Sequence, residues 1–129
     1  MKRAIHTDKG AAPKGPYSQG VVASGRLLYV AAQGPIDPAT GQVVGDTFEE
    51  QAARTFENVK AIVEAAGATM ADAVKVTVYL ADWQHFEALN EVYRRFFCEP
   101  YPARTPVQSN LPMGLIMVDA VVVLPDENR

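Results

Sequence analysis

The chain has 129 residues, 48% of them hydrophobic and 21% charged, which is the composition of one globular domain spanning residues 1–129. Its 15 acidic and 12 basic residues leave a net charge of -3 without a cationic run, so binding of nucleic acid through a basic patch is not expected. The single cysteine, Cys98, excludes an internal disulfide and fits a reducing, cytoplasmic setting, and no apolar run or leader-like h-region points to a membrane or to export.

After an irregular opening, residues 19–23 and 27–31 are strand candidates, and Ser24-Gly25-Arg26 between them has the length and turn chemistry of a hairpin. Two prolines and Gly41 make residues 35–41 a loop. Phe48, Ala52, Phe56, Val59, Ile62, Val63 and Ala66 then recur at helical spacing, with Thr47 and Glu50 placed as a capping box and Gly67 as the left-handed stop. Residues 73–80 alternate, with Val74, Val76, Val78 and Leu80 on one face and Lys75, Thr77 and Tyr79 on the other. A second helix is expected from Asp82 as N-cap to about Phe97, burying Phe86, Leu89, Tyr93, Phe96 and Phe97, with Asn90 on the same stripe. The segment 115–124 is apolar on both faces apart from Asp119, the pattern of a strand covered on both sides.

The order strand, strand, helix, strand, helix, strand, strand predicts an α+β fold with two helices on one face of a mixed sheet. Two helices cannot cover both faces. If the far face carries Tyr79, Met117, Val121 and Val123, another subunit must bury it, and a homo-oligomer follows. Trp83 and the surrounding aromatics read as core, and Cys98 as a small buried apolar residue rather than a nucleophile. His6 and His85 are isolated and there is no cysteine–histidine cluster, so no metal site is expected; phosphate-binding glycine loops and a serine-hydrolase elbow are also absent.

The informative residues are dispersed. Gly15-Pro16-Tyr17-Ser18-Gln19, Gln33-Gly34-Pro35, Asn90-Glu91-Val92-Tyr93 and Pro102-Ala103-Arg104-Thr105 occur in that order, with Asn58-Val59-Lys60 and Lys75-Val76-Thr77-Val78 between them. Read alone, the planar fork of Arg104 suits bidentate capture of a carboxylate, and an amide such as Asn90 on an apolar stripe must find polar partners. As a set, the motifs resemble the RidA/YjgF family of imine deaminases, also called the endoribonuclease L-PSP or translation-inhibitor family.

The resemblance implies a chorismate-mutase-like α+β subunit, assembled as a homotrimer with ligand pockets at the subunit interfaces. It implies that Arg104 holds the carboxylate of a 2-imino or 2-oxo acid, that Tyr17 and Asn90 line the pocket, and that no cofactor takes part. Three positions depart from the family pattern. Pro106 replaces a cysteine found two residues after the arginine, and Ala32 replaces the glycine of a Ser-Gly-Gln motif in the pocket wall. The third is the water-orienting acid. Aligning the last strand on its final acid and alanine puts Met117 at that acid, whereas counting from Arg104 without a gap puts Asp119 there. The strand alignment is the longer and favours Met117. In either case Asp119 in a buried strand is expected to be hydrogen-bonded or paired. The implied reaction is hydrolysis of a 2-imino acid or its enamine tautomer; a non-catalytic 2-oxo acid binder and an endoribonuclease are the alternatives.

Overall fold

The computed structural model describes residues 1–126. Its elements are β1 (Lys2–Ile5), β2 (Gly20–Ala23), β3 (Leu27–Gln33), α1 (Phe48–Ala65), β4 (Ala73–Leu80), α2 (Phe86–Phe96), β5 (Ala103–Gln108) and β6 (Ile116–Val123). Four strands form a mixed sheet in the order β3-β6-β4-β5, parallel between β4 and β5 and antiparallel elsewhere. This is the expected α+β architecture with two helices.

Helix α1 begins where Thr47 Oγ1 accepts the Glu50 amide at 3.1 Å, which satisfies one of the four orphan donors of a helix start. It is followed by Gly67 at φ +85, a conformation that costs glycine nothing. Its apolar stripe, Ala52, Phe56, Val59 and Val63, lies buried against the inner sheet face, where Val76, Val78, Val118, Ala120 and Val122 are also buried. Asp82 caps the start of the second helical segment by accepting the Gln84 amide at 2.9 Å; one short turn over Trp83–His85 leads into α2.

Several expectations are corrected. The two early strands do not form a hairpin: β2 pairs with β1, a strand that the sequence pattern does not predict, and β3 pairs with β6. Ser24-Gly25-Arg26 therefore passes the chain between two sheets. Val123 lies on the outer face as expected, level with Leu27, but is buried there beside Gly25. Trp83 stacks on Phe86 but keeps 45% of its surface exposed, and Cys98, just beyond α2, is exposed rather than buried.

Strand β6 is central, and its burial alternates. Ile116, Val118, Ala120 and Val122 enter the core, while Met117, Asp119 and Val121 lie half-buried on the face away from the helices. That outer face also carries Tyr29, 72% exposed, together with Leu27 and Val107. Among the described residues nothing covers it as the helices cover the inner face, and no helix is long and apolar enough to cross a membrane.

Candidate functional site

Arg104 sits on edge strand β5, level with Val76 of β4 and, across β4, with Ala120 of β6. Residues paired at one level share a face, so its side chain projects toward the helices rather than the outer face. It is only 8% exposed there. Nη1 donates to Asn90 Oδ1 at 2.7 Å, and Asn90 is itself buried on α2.

Aromatic rings enclose the guanidinium. Its carbon lies 4.9 Å from the ring centre of Tyr93, 5.5 Å from Tyr17 and 5.7 Å from Phe86. These quadrupoles offset part of the desolvation of the cation and hold its plane. Burial lowers the Arg104 pKa; Tyr93 and Tyr17 act against that shift, and the neighbouring Arg94 adds to it. The group nevertheless remains a cation.

No described carboxylate pairs with this buried charge. Arg104 Nε is buried without an acceptor, and the Tyr93 hydroxyl is buried without a partner. Burial drives the Tyr93 phenol well above its ordinary pKa, so it is neutral and able to donate. An uncompensated buried cation is costly, and an anion is the group whose arrival would offset that cost.

The Gly15-Pro16-Tyr17-Ser18 segment reaches Arg104 because it is tied to the residues just before β5. Ser18 N donates to Pro102 O at 3.1 Å and Ser18 Oγ to Tyr101 O at 2.5 Å. A Cβ at Gly15 would stand 3.3 Å from Arg104 Nη2, closer than most such contacts, so glycine here admits the backbone against the guanidinium. A cleft of about 430 Å³ opens beside Tyr17, walled by Ile5, Pro13, Pro100 and Tyr101; Arg104 does not line it.

The structure thus brings together Arg104, Asn90 and Tyr17, three of the residues singled out from sequence. Ala32, Met117 and Asp119 lie elsewhere. Ala32 is exposed in a bulge of β3, at the opposite edge of the sheet from β5, three strand spacings or roughly 14 Å away. Met117 and Asp119 are on the outer face, opposite to the one into which Arg104 projects. Asp119 Oδ2 accepts the Tyr79 hydroxyl at 2.8 Å, a diagonal cross-strand pair, so the expectation of a hydrogen-bonded carboxylate describes it. Next to that pair, Lys75 Nζ donates to Thr105 Oγ1 at 2.9 Å and Thr77 Oγ1 at 3.2 Å.

Three contributors were not foreseen from sequence: Gly15 as the close-approach position, and Phe86 and Tyr93 as cage rather than plain core. The signal for Tyr93 was its spacing, since three residues after Asn90 puts both on one helix face.

Residues 7–122 match the family described as endoribonuclease L-PSP. The chain belongs to this RidA/YjgF family. A RutC family protein of Pyrococcus horikoshii is 46% identical over 123 residues, covering 94% of this chain and 97% of that protein. The Escherichia coli protein TdcF, provisionally named a reactive intermediate deaminase, is 40% identical over 128 residues, covering 95% and 98%. Among RidA-family structures, RidA from an Antarctic Psychrobacter superposes with a TM-score of 0.73 at 41% identity, covering 95% of this chain and 99% of that one. Escherichia coli TdcF with bound serine superposes with a TM-score of 0.71 at 36% identity, covering 95% and 99%.

Proposed function

We propose that this RidA-family protein hydrolyses 2-imino acids, or their enamine tautomers, to 2-oxo acids and ammonia. One observation carries the reading: Arg104 is more than nine-tenths buried, has no described counter-ion, and has Nε free of any acceptor. The substrate carboxylate supplies the missing negative charge. A relative in this family, TdcF, has been crystallised with serine, a small molecule bearing a carboxylate.

The chemistry asks little of the protein. Water adds to the C=N carbon, the tetrahedral adduct expels ammonia, and a C=O group remains, so the reaction is balanced without a cofactor. Arg104 fixes the carboxylate, Asn90 fixes Arg104, and Tyr17 closes one wall with its ring.

Because Ala32, Met117 and Asp119 lie at the far edge or on the outer face, one subunit cannot assemble all the residues singled out. We place the complete pocket at the interface of a homotrimer, where the outer face and β3 edge of one copy meet the Arg104 cage of its neighbour. The test is a coupled assay in which an amino-acid oxidase generates imino acids in situ and the rate of imine loss is followed. Unchanged imine lifetimes with folded protein present would reject the deaminase reading.

A second reading, a non-catalytic binder of 2-oxo acids, is favoured by a specific observation: Met117 is not an acid, and one Asp119 oxygen is engaged by Tyr79. It predicts binding without turnover. The family description also carries the word endoribonuclease; a net charge of -3 and the absence of a histidine–lysine cluster speak against it, and the expected outcome is no RNA binding at any ionic strength.

A further inference from the structure

We propose that Arg94 is a specificity-determining residue, one that makes the Arg104 site select 2-imino acids bearing a second carboxylate on the side chain. The inference rests on the reading that Arg104 holds the first carboxylate. Asn90, the partner of Arg104, and Arg94 are four residues apart on α2 and therefore share a face, one turn and about 6 Å along the axis. Arg94 is exposed in the last turn of that helix and has neither a hydrogen bond nor an ion pair with any described residue.

The neighbouring charges do not neutralise it. Arg95 lines a different groove, between the helices, shared with Glu57, Lys60 and Glu64. Glu87 and Glu91 of α2 pair with neither Arg94 nor Arg104. The Arg94 charge is felt at the site, since it helps to lower the Arg104 pKa, and no described carboxylate acts in the opposite sense. The Asn90 face of α2 therefore lies beside two cations, the buried Arg104 of β5 and the exposed Arg94.

A ligand with one carboxylate satisfies Arg104 and leaves Arg94 to solvent. In a five-carbon dicarboxylate the two carboxyl carbons are about 5 Å apart when extended, a span that the flexible arginine stem accommodates. Cationic side chains meet repulsion at the same place. Exposed charge pairs contribute modestly, so the preference is a few-fold and is screened by salt.

The experiment is titration calorimetry at low ionic strength with 2-oxoglutarate, its neutral side-chain amide, and 2-oxobutanoate. The expected result is that 2-oxoglutarate binds about three- to five-fold more tightly than its amide. Arg94→Gln removes that ratio, Arg94→Glu reverses it, added salt shrinks it, and Arg95→Gln leaves it in place. Circular dichroism controls for folding, which an exposed substitution should not disturb. A ratio near one in the parent, or one that survives Arg94→Gln, overturns the proposal. If 2-oxobutanoate binds in an Arg104-dependent way under those conditions, only the role of Arg94 falls. If none of the three ligands binds the folded parent, the carboxylate reading falls with it.

Discussion

Arg104 concentrates the energetics of the site because its charge has been taken out of water without a counter-ion among the described residues. Arg104→Ala is expected to weaken 2-oxobutanoate binding by about 2 to 5 kcal/mol, the range for losing one partner of a desolvated charge pair. Titration calorimetry on both proteins measures it, and equal affinities would place the anion site elsewhere. Arg104→Lys should also bind poorly, since an ammonium can neither reproduce the fork nor lie flat among Tyr17, Phe86 and Tyr93.

The acid question belongs to the same scale. If water orientation needs a carboxylate at position 117, Met117→Glu should raise the rate of imine hydrolysis by roughly 10²–10⁴, the contribution of one positioned acid or base, with little change in 2-oxo acid affinity. If Asp119 is that acid, Asp119→Asn loses most of the activity and Met117→Glu gains none. The Tyr79 hydroxyl engages Asp119 Oδ2 and leaves Oδ1 as the oxygen that would hold a water in the second case. Measuring both variants in the coupled assay separates the two.

Among the elements, the loop containing Gly15 and the strand β5 act as one unit, since Ser18 bonds to both Tyr101 and Pro102. Gly15→Ala puts a methyl 3.3 Å from Arg104 Nη2, so the loop or the guanidinium must shift. The expected effect is a five- to twenty-fold loss of carboxylate affinity, about 1 to 2 kcal/mol, with thermal stability nearly unchanged; affinity equal to the parent's would show that the approach is not tight. At this scale the sequence was most legible where a period repeats: α1, α2 and β4 each show several turns or alternations. β1 was not, because Lys2-Arg3-Ala4-Ile5 is too short and too charged to alternate, and its pairing with β2 is decided by the rest of the fold. Trp83 and Cys98 were misplaced for a related reason: burial of one side chain at an element end depends on long-range packing that no local pattern records. The motif spacing did lead to Arg104, Tyr17 and Asn90, whereas the isolation of Arg94 emerged only when the faces of α2 were seen in place.

At the level of the molecule, the outer face is the surface on which the proposed assembly depends. Tyr29, Leu27 and Val107 are exposed there beside half-buried Met117 and Val121, apolar side chains of the kind that subunit contacts cover. Sedimentation at micromolar concentration is expected to give a trimer of the 14.0 kDa chain. Tyr29→Lys, which places a charge on that face, should shift the population toward smaller species and reduce imine hydrolysis in parallel. A parent that sediments as a monomer would remove the interface pocket.

The separation of the β5 and β3 edges by the width of the sheet has a genetic consequence. If the pocket spans two copies as proposed, Arg104→Ala in one chain and Ala32→Trp in the other would place their defects in opposite walls of each pocket. Co-expressed, they would complement each other: random mixing leaves about a quarter of the pockets with both walls intact, in a trimer that contains no wild-type chain at all.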